Sequence, residues 1–377
     1  MPAPELRADA ADWRSLDRDR LTAAWHALAQ CAAEPNPFLE SWGLLPALEA
    51  LDPAGEVRLL RVESDGDLAG ILPVAPRRRY YGWPIPHVEG WAHPNAFLGT
   101  PLVAAGLERA FWRALFAWAD GLGGTALFLH LANFALEGPV HRALMDVLAE
   151  QGRMAGVVHR EERALLLSDL GPEEYLAASM TGKKRKELRR QMARLGECGE
   201  VAFQRLSSDE HLDGWIADFL ALEAAGWKGK AGSALALRPE TTALFGEALR
   251  GAAVRGRLER LSLTLDRRPI AMLANFVTPP GLFSYKTAFD EDFARFSPGV
   301  LLQCENLKLL ERPGIAWADS CAAADHPMID RIWRERRPVG RLSIAIGGPL
   351  RRAAFARLLA AELARNPTGV EPTGVEP

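Results

Sequence analysis

The clearest alternation of apolar and polar positions runs from Leu282 to Asp319. Leu282-Phe283-Ser284-Tyr285-Lys286-Thr287-Ala288-Phe289 is a run of strand formers. An acidic, polar segment follows, 290–296. Ser297-Pro298-Gly299 then opens a helical pattern, with Leu301, Leu302, Glu305, Leu309 and Leu310 at helical spacing. Ser297 can cap that helix, and Pro298 suits its first turn, where a missing N–H costs nothing. Pro313-Gly314 stops it, and Ile315 to Asp319 reads as the next strand. The order is strand, loop, helix, strand. The helix N-terminus would present unpaired N–H groups and a partial positive charge, which suits a phosphate. An ordinary capped crossover helix fits the same pattern.

The rest of the chain yields to the same reading. Leu21–Gln30 and Ser41–Leu51 read as helices. Strands at 57–62 and 68–74 flank the turn Asp65-Gly66-Asp67. Residues 77–101 are irregular and hold Tyr80, Tyr81, Trp83, His87, Trp91 and His93, the aromatics of a pocket or of a loop packed on itself. A helix (107–121), a strand (126–131), a helix (140–151) and two strands near Val157 and Leu165 follow. A helix beginning at Gly171 carries the basic run Lys183 to Arg194. Then come a strand (201–206), helices at 209–225 and 239–254, and strands at 258–266 and 270–277. After Asp319 the pattern gives a short helix at Trp333, a strand (342–346) and a helix (350–363). The tail repeats Thr-Gly-Val-Glu-Pro from Thr368 and from Thr373 and is expected to be disordered.

Composition narrows the classes. At 377 residues, a prior of roughly 100–200 residues per domain predicts two domains. We place them at 1–165 and 170–365, with a tail at 366–377. The net charge of −3 gives no general attraction to nucleic acid or acidic lipid. The basic helix reads first as a solvated face and second as a clamp for an anion. Nucleic acid is not expected as a partner, because no aromatics interleave with the basic residues. The four cysteines are scattered without a CxxC pair, so no metal site is expected and a reducing compartment fits. The N-terminus lacks the features of a signal peptide and no apolar run is long enough for a membrane span, so a cytoplasmic location is expected. Gly182-Lys183 does not complete a phosphate-binding P-loop, and Gly226–Ser233 does not follow a strand as a dinucleotide fingerprint must.

The element order of the second half, looser in the first, is that of the GNAT acyltransferase fold. The fold class expected is therefore mixed α/β, as tandem GNAT-like domains, each a mixed sheet flanked by helices. Five segments in order carry a closer resemblance: Arg185-Lys186-Glu187-Leu188-Arg189-Arg190, Leu222-Glu223-Ala224-Ala225-Gly226-Trp227-Lys228-Gly229, Arg268-Pro269-Ile270-Ala271, Phe296-Ser297-Pro298-Gly299-Val300-Leu301-Leu302 and Ala318-Asp319-Ser320-Cys321. Together they resemble the BioF2-like acetyltransferase family, with its CelD-type members from polysaccharide gene clusters, related to the FemAB peptidyltransferases. The resemblance covers about residues 170–345. It implies acyl transfer from acyl-CoA, acetyl-CoA in the first instance, to an amine or hydroxyl of a small-molecule or saccharide acceptor. The alternatives are an aminoacyl-tRNA-dependent FemAB-like transferase and a non-catalytic binding protein on the same fold. Arg295, Ser297, Gly299, Val300 and Leu301 would hold the donor's pyrophosphate, although Pro298-Gly299 stands one step late against the usual GNAT pattern.

Acyl transfer needs a base, a donor to the thioester oxygen and a proton for the leaving thiolate. Glu223 at a helix end is a candidate base or a surface carboxylate. His326 titrates near neutrality; its HxxxD spacing to Asp330 matches another acyltransferase signature without the glycine that signature requires. Asp319 can orient an amine or cap a turn. Cys321 reads as a small structural thiol. Trp227, Lys228, Tyr285 and Lys286 are the candidate substrate contacts.

Overall fold

The computed structural model describes residues 6–64 and 66–365. Asp65 of the expected turn and the tail at 366–377 lie outside the described residues. In chain order the elements are β1 (Arg7–Asp12), α1 (Arg18–Gln30), α2 (Ser41–Leu51), β2 (Arg58–Ser64), β3 (Asp67–Arg77), β4 (His87–Gly90), β5 (Leu102–Val103), α3 (Glu108–Gly121), β6 (Phe128–Ala135), α4 (Pro139–Glu150) and β7 (Ala155–Leu166). Then come α5 (Pro172–Ser179), α6 (Gly182–Gly196), β8 (Val201–Leu206), α7 (Leu212–Ala225), the single turn α8 (Trp227–Lys230), α9 (Pro239–Val254), β9 (Leu258–Leu265), β10 (Arg268–Thr278) and β11 (Gly281–Phe289). The chain closes with α10 (Pro298–Asn306), β12 (Trp317–Asp319), β13 (Glu335–Ala345) and α11 (Pro349–Arg365). No helix among the described residues is long and apolar enough to cross a membrane.

The chain forms two compact units. The first takes residues 1–44, 52–162 and 338–377; the second takes 45–51 and 163–337. In the first unit β1, β2, β3 and β4 pair antiparallel in sequence. β4 then pairs parallel with β6, and β6 pairs antiparallel with β13. The apolar face of α3 (Phe111, Trp112, Leu115, Phe116) buries against this sheet, and the Trp112 indole donates to the Val140 carbonyl at 2.9 Å. The second unit repeats the layout. β8, β9, β10 and β11 pair antiparallel, β11 pairs parallel with β12, and β12 pairs antiparallel with the last residues of β7. Each unit is a mixed sheet flanked by helices, as expected from the GNAT-like element order.

Three local expectations differ from what is observed. The two strands near Val157 and Leu165 are one twelve-residue strand, β7. The helix from Gly171 to Leu195 is broken at Met180-Thr181, because the Thr181 side chain accepts the Lys184 N–H at 3.3 Å and starts α6 as a new helix. The last strand and helix, assigned by sequence to the second domain, pack with the first unit. β13 pairs with β6, and Phe355 of α11 stacks on Phe128 at 5.3 Å. The sixth strand of the first unit, β13, thus comes from the far end of the chain, while that of the second, the end of β7, comes from the residues that open that unit.

Within the second unit a polar network lies under α10. Glu259 on β9 is fully buried and takes both Arg205 (2.6 Å) and Arg312. The Asn275 amide donates to Glu259 at 3.2 Å and to Asn306 on α10 at 2.9 Å. A buried carboxylate held by two guanidiniums cannot lose either side cheaply. Glu259→Ala is expected to lower stability by about 3–5 kcal/mol in denaturant unfolding, since it strands two cations. A loss below about 1 kcal/mol would show the network to be solvated.

Candidate active site

The second unit opens where its parallel strands part. β11 pairs with β12 only from Gly281↔Trp317 to Phe283↔Asp319. β12 ends there, and the chain turns away through Ser320 and Cys321, whose φ is 52°. β11 runs six residues further, to Phe289. Its other edge carries a bulge at the same level. Ala274 faces Lys286 and Asn275 faces Ser284, so Tyr285 is an extra residue on β11. Bulges re-aim side chains and recur beside sites.

The bulge divides the side chains of β11 between two helical layers. Tyr285 stacks on Phe276 at 4.5 Å and on Phe245 of α9 at 6.2 Å. The Lys286 ammonium lies 5.7 Å from the Tyr285 ring centre. Thr287 instead accepts a weak bond from Gln303 of α10 at 3.4 Å. Ser284 is buried, and its hydroxyl has no partner among the described residues. An unsatisfied buried hydroxyl costs about 1–3 kcal/mol, which marks a place for a water or ligand.

Glu223, Lys228, Tyr285, Lys286, Cys321 and His326, singled out from scattered segments, converge here. Glu223 is buried at the end of α7, and its two oxygens take the Lys228 ammonium at 2.6 Å and the Leu235 N–H at 2.8 Å. It clamps the 228–235 segment, so it is not the surface carboxylate of the alternative reading. Gly229 makes the turn tight enough for that clamp, since a Cβ there would lie 1.8 Å from the Ala224 carbonyl oxygen. Trp227 stays 55% exposed at the rim. Burial, then the nearby Lys228 charge, pushes the Lys286 amine from its ordinary 10.5 down to about 8, against the attraction of Glu223. Burial and Lys228 also lower the His326 pKa. The His326 Nδ1 accepts the Met328 N–H at 3.4 Å, which leaves Nε2 as the N–H of the neutral ring. Burial pushes the Cys321 thiol well up, which fits the structural reading of that residue.

Asp319 does not serve as an amine contact. It is fully buried and takes Arg163 at 2.6 Å, Arg337 at 2.8 Å and the Cys321 N–H at 2.9 Å. Burial works to raise its pKa, but the two guanidiniums and the Cys321 N–H outweigh it and hold the pKa low. Ser297 also departs from expectation. It sits in the left-handed region (φ 55°) and makes no side-chain cap. The Leu301 N–H is already bonded to the Ser297 carbonyl at 3.0 Å. Of the expected donor-binding N–H groups, Gly299 and Val300 remain. Gly299 is packed, with a Cβ there reaching 3.1 Å from the Met328 sulfur and 3.2 Å from Phe289, so a larger residue would disturb packing before any ligand. Arg295 is exposed and lies over the Phe296 ring at 4.7 Å, while its carbonyl accepts the Gln191 amide of α6 at 3.1 Å. That bond brings the basic helix beside the start of α10, and the Lys184 charge is felt by Cys304 of α10.

Ser284 was missed in the sequence. Its only signal there is a hydroxyl in an apolar strand.

The Lys286 shift has a stability consequence. Above pH 10.5 the amine is neutral in both folded and unfolded chains. Between pH 10.5 and about 8 only the unfolded chain takes up the proton, so stability falls as pH drops through that window and is level below it. Lys286→Met is expected to remove this dependence. Parallel unfolding curves of parent and variant across the window would contradict the shift.

Residues 182–327 match the family model described as an acetyltransferase (GNAT) domain. No curated protein matches the sequence. Among solved structures, FemX is similar with a TM-score of 0.56 at 10% identity, over 88% of this chain and 98% of that one. A conserved protein of unknown function from Bacteroides thetaiotaomicron gives 0.53 at 11% identity, over 89% and 99%. A tandem GNAT protein from the clavulanic acid biosynthesis pathway gives 0.43 at 17% identity, over 92% and 99%. At these identities the likeness speaks for the fold alone, and the third score is too low to add to it.

Proposed function

We propose that the chain is an acyltransferase of the BioF2-like kind, moving an acyl group from acyl-CoA to an amine or hydroxyl of a small-molecule or saccharide acceptor. The observation that carries this reading is the opening beyond Phe283 and Asp319. β11 carries the Lys286 amine there, on the face that Tyr285 shares with α9. The match of 182–327 to an acetyltransferase domain supports it. Phosphates of the donor would meet the start of α10 at the Gly299 and Val300 N–H groups, with Lys183, Lys184 and Arg295 supplying charge around them. The acceptor would enter past Trp227 and Lys228.

The transfer follows from these places. The acceptor's nitrogen or oxygen attacks the thioester carbonyl carbon. Its proton passes to the neutral Lys286 amine, whose pKa of about 8 leaves a useful neutral fraction near physiological pH. As the carbon–sulfur bond breaks, the thiolate takes the proton that Lys286 has just accepted, which restores the neutral amine. Glu223 holds Lys228 and the rim in place and touches no reacting atom.

The exposed basic residues of α6 favour one competing reading, an aminoacyl-tRNA donor. Binding of tRNA that weakens steeply with salt, and is lost on Lys183, Lys184 and Lys186 to Gln, would favour it.

The test measures free thiol released from acetyl-CoA in the presence of a panel of amines and amino sugars. For a responsive acceptor, kcat/KM should rise with pH and level off above about 8. Lys286→Met should lower kcat by roughly a hundredfold or more while acetyl-CoA affinity holds. Acetyl-CoA at about a hundred times its Kd should stabilise the parent by ~2.7 kcal/mol. No stabilisation by any acyl-CoA would overturn the reading in favour of a non-catalytic binding protein or another donor.

A further inference from the structure

The aromatic stretch between β3 and β4 has no part in that chemistry, yet it lines a cavity of about 430 Å³ in the first unit. Ligand pockets commonly have this size. The cavity is built rather than incidental. Tyr80 and Trp83 exchange backbone bonds at 2.9 and 3.0 Å. The two residues between them, Tyr81 (φ 45°) and Gly82 (φ 84°), both lie in the left-handed region, which makes a tight turn of the primed type. Glycine adopts that backbone freely. A tyrosine does so at a cost, and such strain gathers where a side chain must be displayed.

The displayed groups are specific. Tyr80 is buried, held edge-on by Phe128 at 5.0 Å and His130 at 5.3 Å, and its hydroxyl donates to Glu362 of α11 at 2.7 Å. Tyr81 and Trp83 stay 62% and 64% exposed, although large aromatic rings are strongly drawn to burial. The Arg341 guanidinium donates to the Tyr81 hydroxyl at 2.7 Å and is thereby aimed without being neutralised. Arg365 on the last turn of α11 has no carboxylate partner among the described residues. The one carboxylate, Glu362, is already occupied by Tyr80, and burial raises its pKa. Flat ring faces beside two guanidiniums are complementary to a flat anion.

We propose that this cavity binds a small anion carrying a planar ring, the ring seated on Trp83 and Tyr81 and the anionic group on Arg341 and Arg365. An aromatic carboxylate and a nucleoside monophosphate share that chemistry, and the experiment separates them. The full chain is titrated in a calorimeter with indole-3-acetate and with AMP, and with their uncharged counterparts indole-3-ethanol and adenosine. One anionic probe should bind, and its uncharged counterpart should bind at least about tenfold more weakly. The one that binds identifies carboxylate or phosphate as the group read. Trp83→Ala and Arg365→Gln should each weaken that binding by about tenfold or more while leaving the melting temperature in place, since both side chains stand at the rim. The proposal is overturned if neither anion binds, if the uncharged probes bind as well, or if affinity survives both substitutions. It is also overturned if Lys286→Met or Arg295→Ala removes the binding, which would place the ligand in the second unit.

Discussion

One buried carboxylate sets the geometry of the second unit. Asp319 ends β12 and draws Arg163 from β7 and Arg337 from β13 onto its oxygens, with the Cys321 N–H closing the turn behind it. A charge with no solvent exposure is tolerable only when paired and hydrogen-bonded on every side. Three segments must therefore meet at the last residue of the strand, and β12 has no freedom to continue along β11. The opening beyond Phe283 is the consequence. Every group argued to act in acyl transfer depends on that opening, although Asp319 itself reaches none of the reacting atoms.

Electrostatics inside the opening follow from a second pairing. Lys228 is committed to Glu223, so the local balance near Lys286 is one ion pair plus one further amine. Water is scarce there, and a second ammonium is held off by the first. Burial first, and the Lys228 charge second, make the Lys286 proton easier to lose and lower the His326 pKa.

Much of this was legible in the residues. The helices at Ser41–Leu51 and Pro239–Val254 and the strand at Val201–Leu206 have the bounds that periodicity and cap residues predict, because local pattern alone decides them. Glu223, Lys228, Tyr285, Lys286 and His326 stood out as polar groups at helix ends, in loops or in an apolar strand, and the fold gathers them. The misreadings concern what pattern cannot carry. A strand's sequence does not say which distant partner it takes, so β13 pairing with β6 across some two hundred residues left no trace. Asp319 looked like a contact because a carboxylate at a strand end is ambiguous until its cations are known. Ser297-Pro298 promised a serine cap, but its left-handed backbone turns the hydroxyl away from that role.

The repeated layout does not repeat the opening. In the first unit the parallel pair is short, from Val88↔Leu129 to Gly90↔Leu131, and there β6 outlasts its partner. Its freed edge is taken by the chain's own loop. Gly99 donates to the Asn133 carbonyl at 2.8 Å, the Asn133 amide donates to the Ala96 carbonyl at 3.0 Å, and the Thr100 hydroxyl accepts the Ala135 N–H at 2.9 Å. Asn36 fixes that loop from the other side through the carbonyls of Leu98 and Thr100. Gly99 admits no side chain, because a Cβ would fall 2.1 Å from the Ala132 carbonyl oxygen. With those backbone groups satisfied internally, a pantetheine arm would have to displace bonds already made, at about 0.5–1.5 kcal/mol each. In the second unit no loop is bonded along β11 past Phe283 among the described residues, so a ligand there gains bonds that the fold has not already formed.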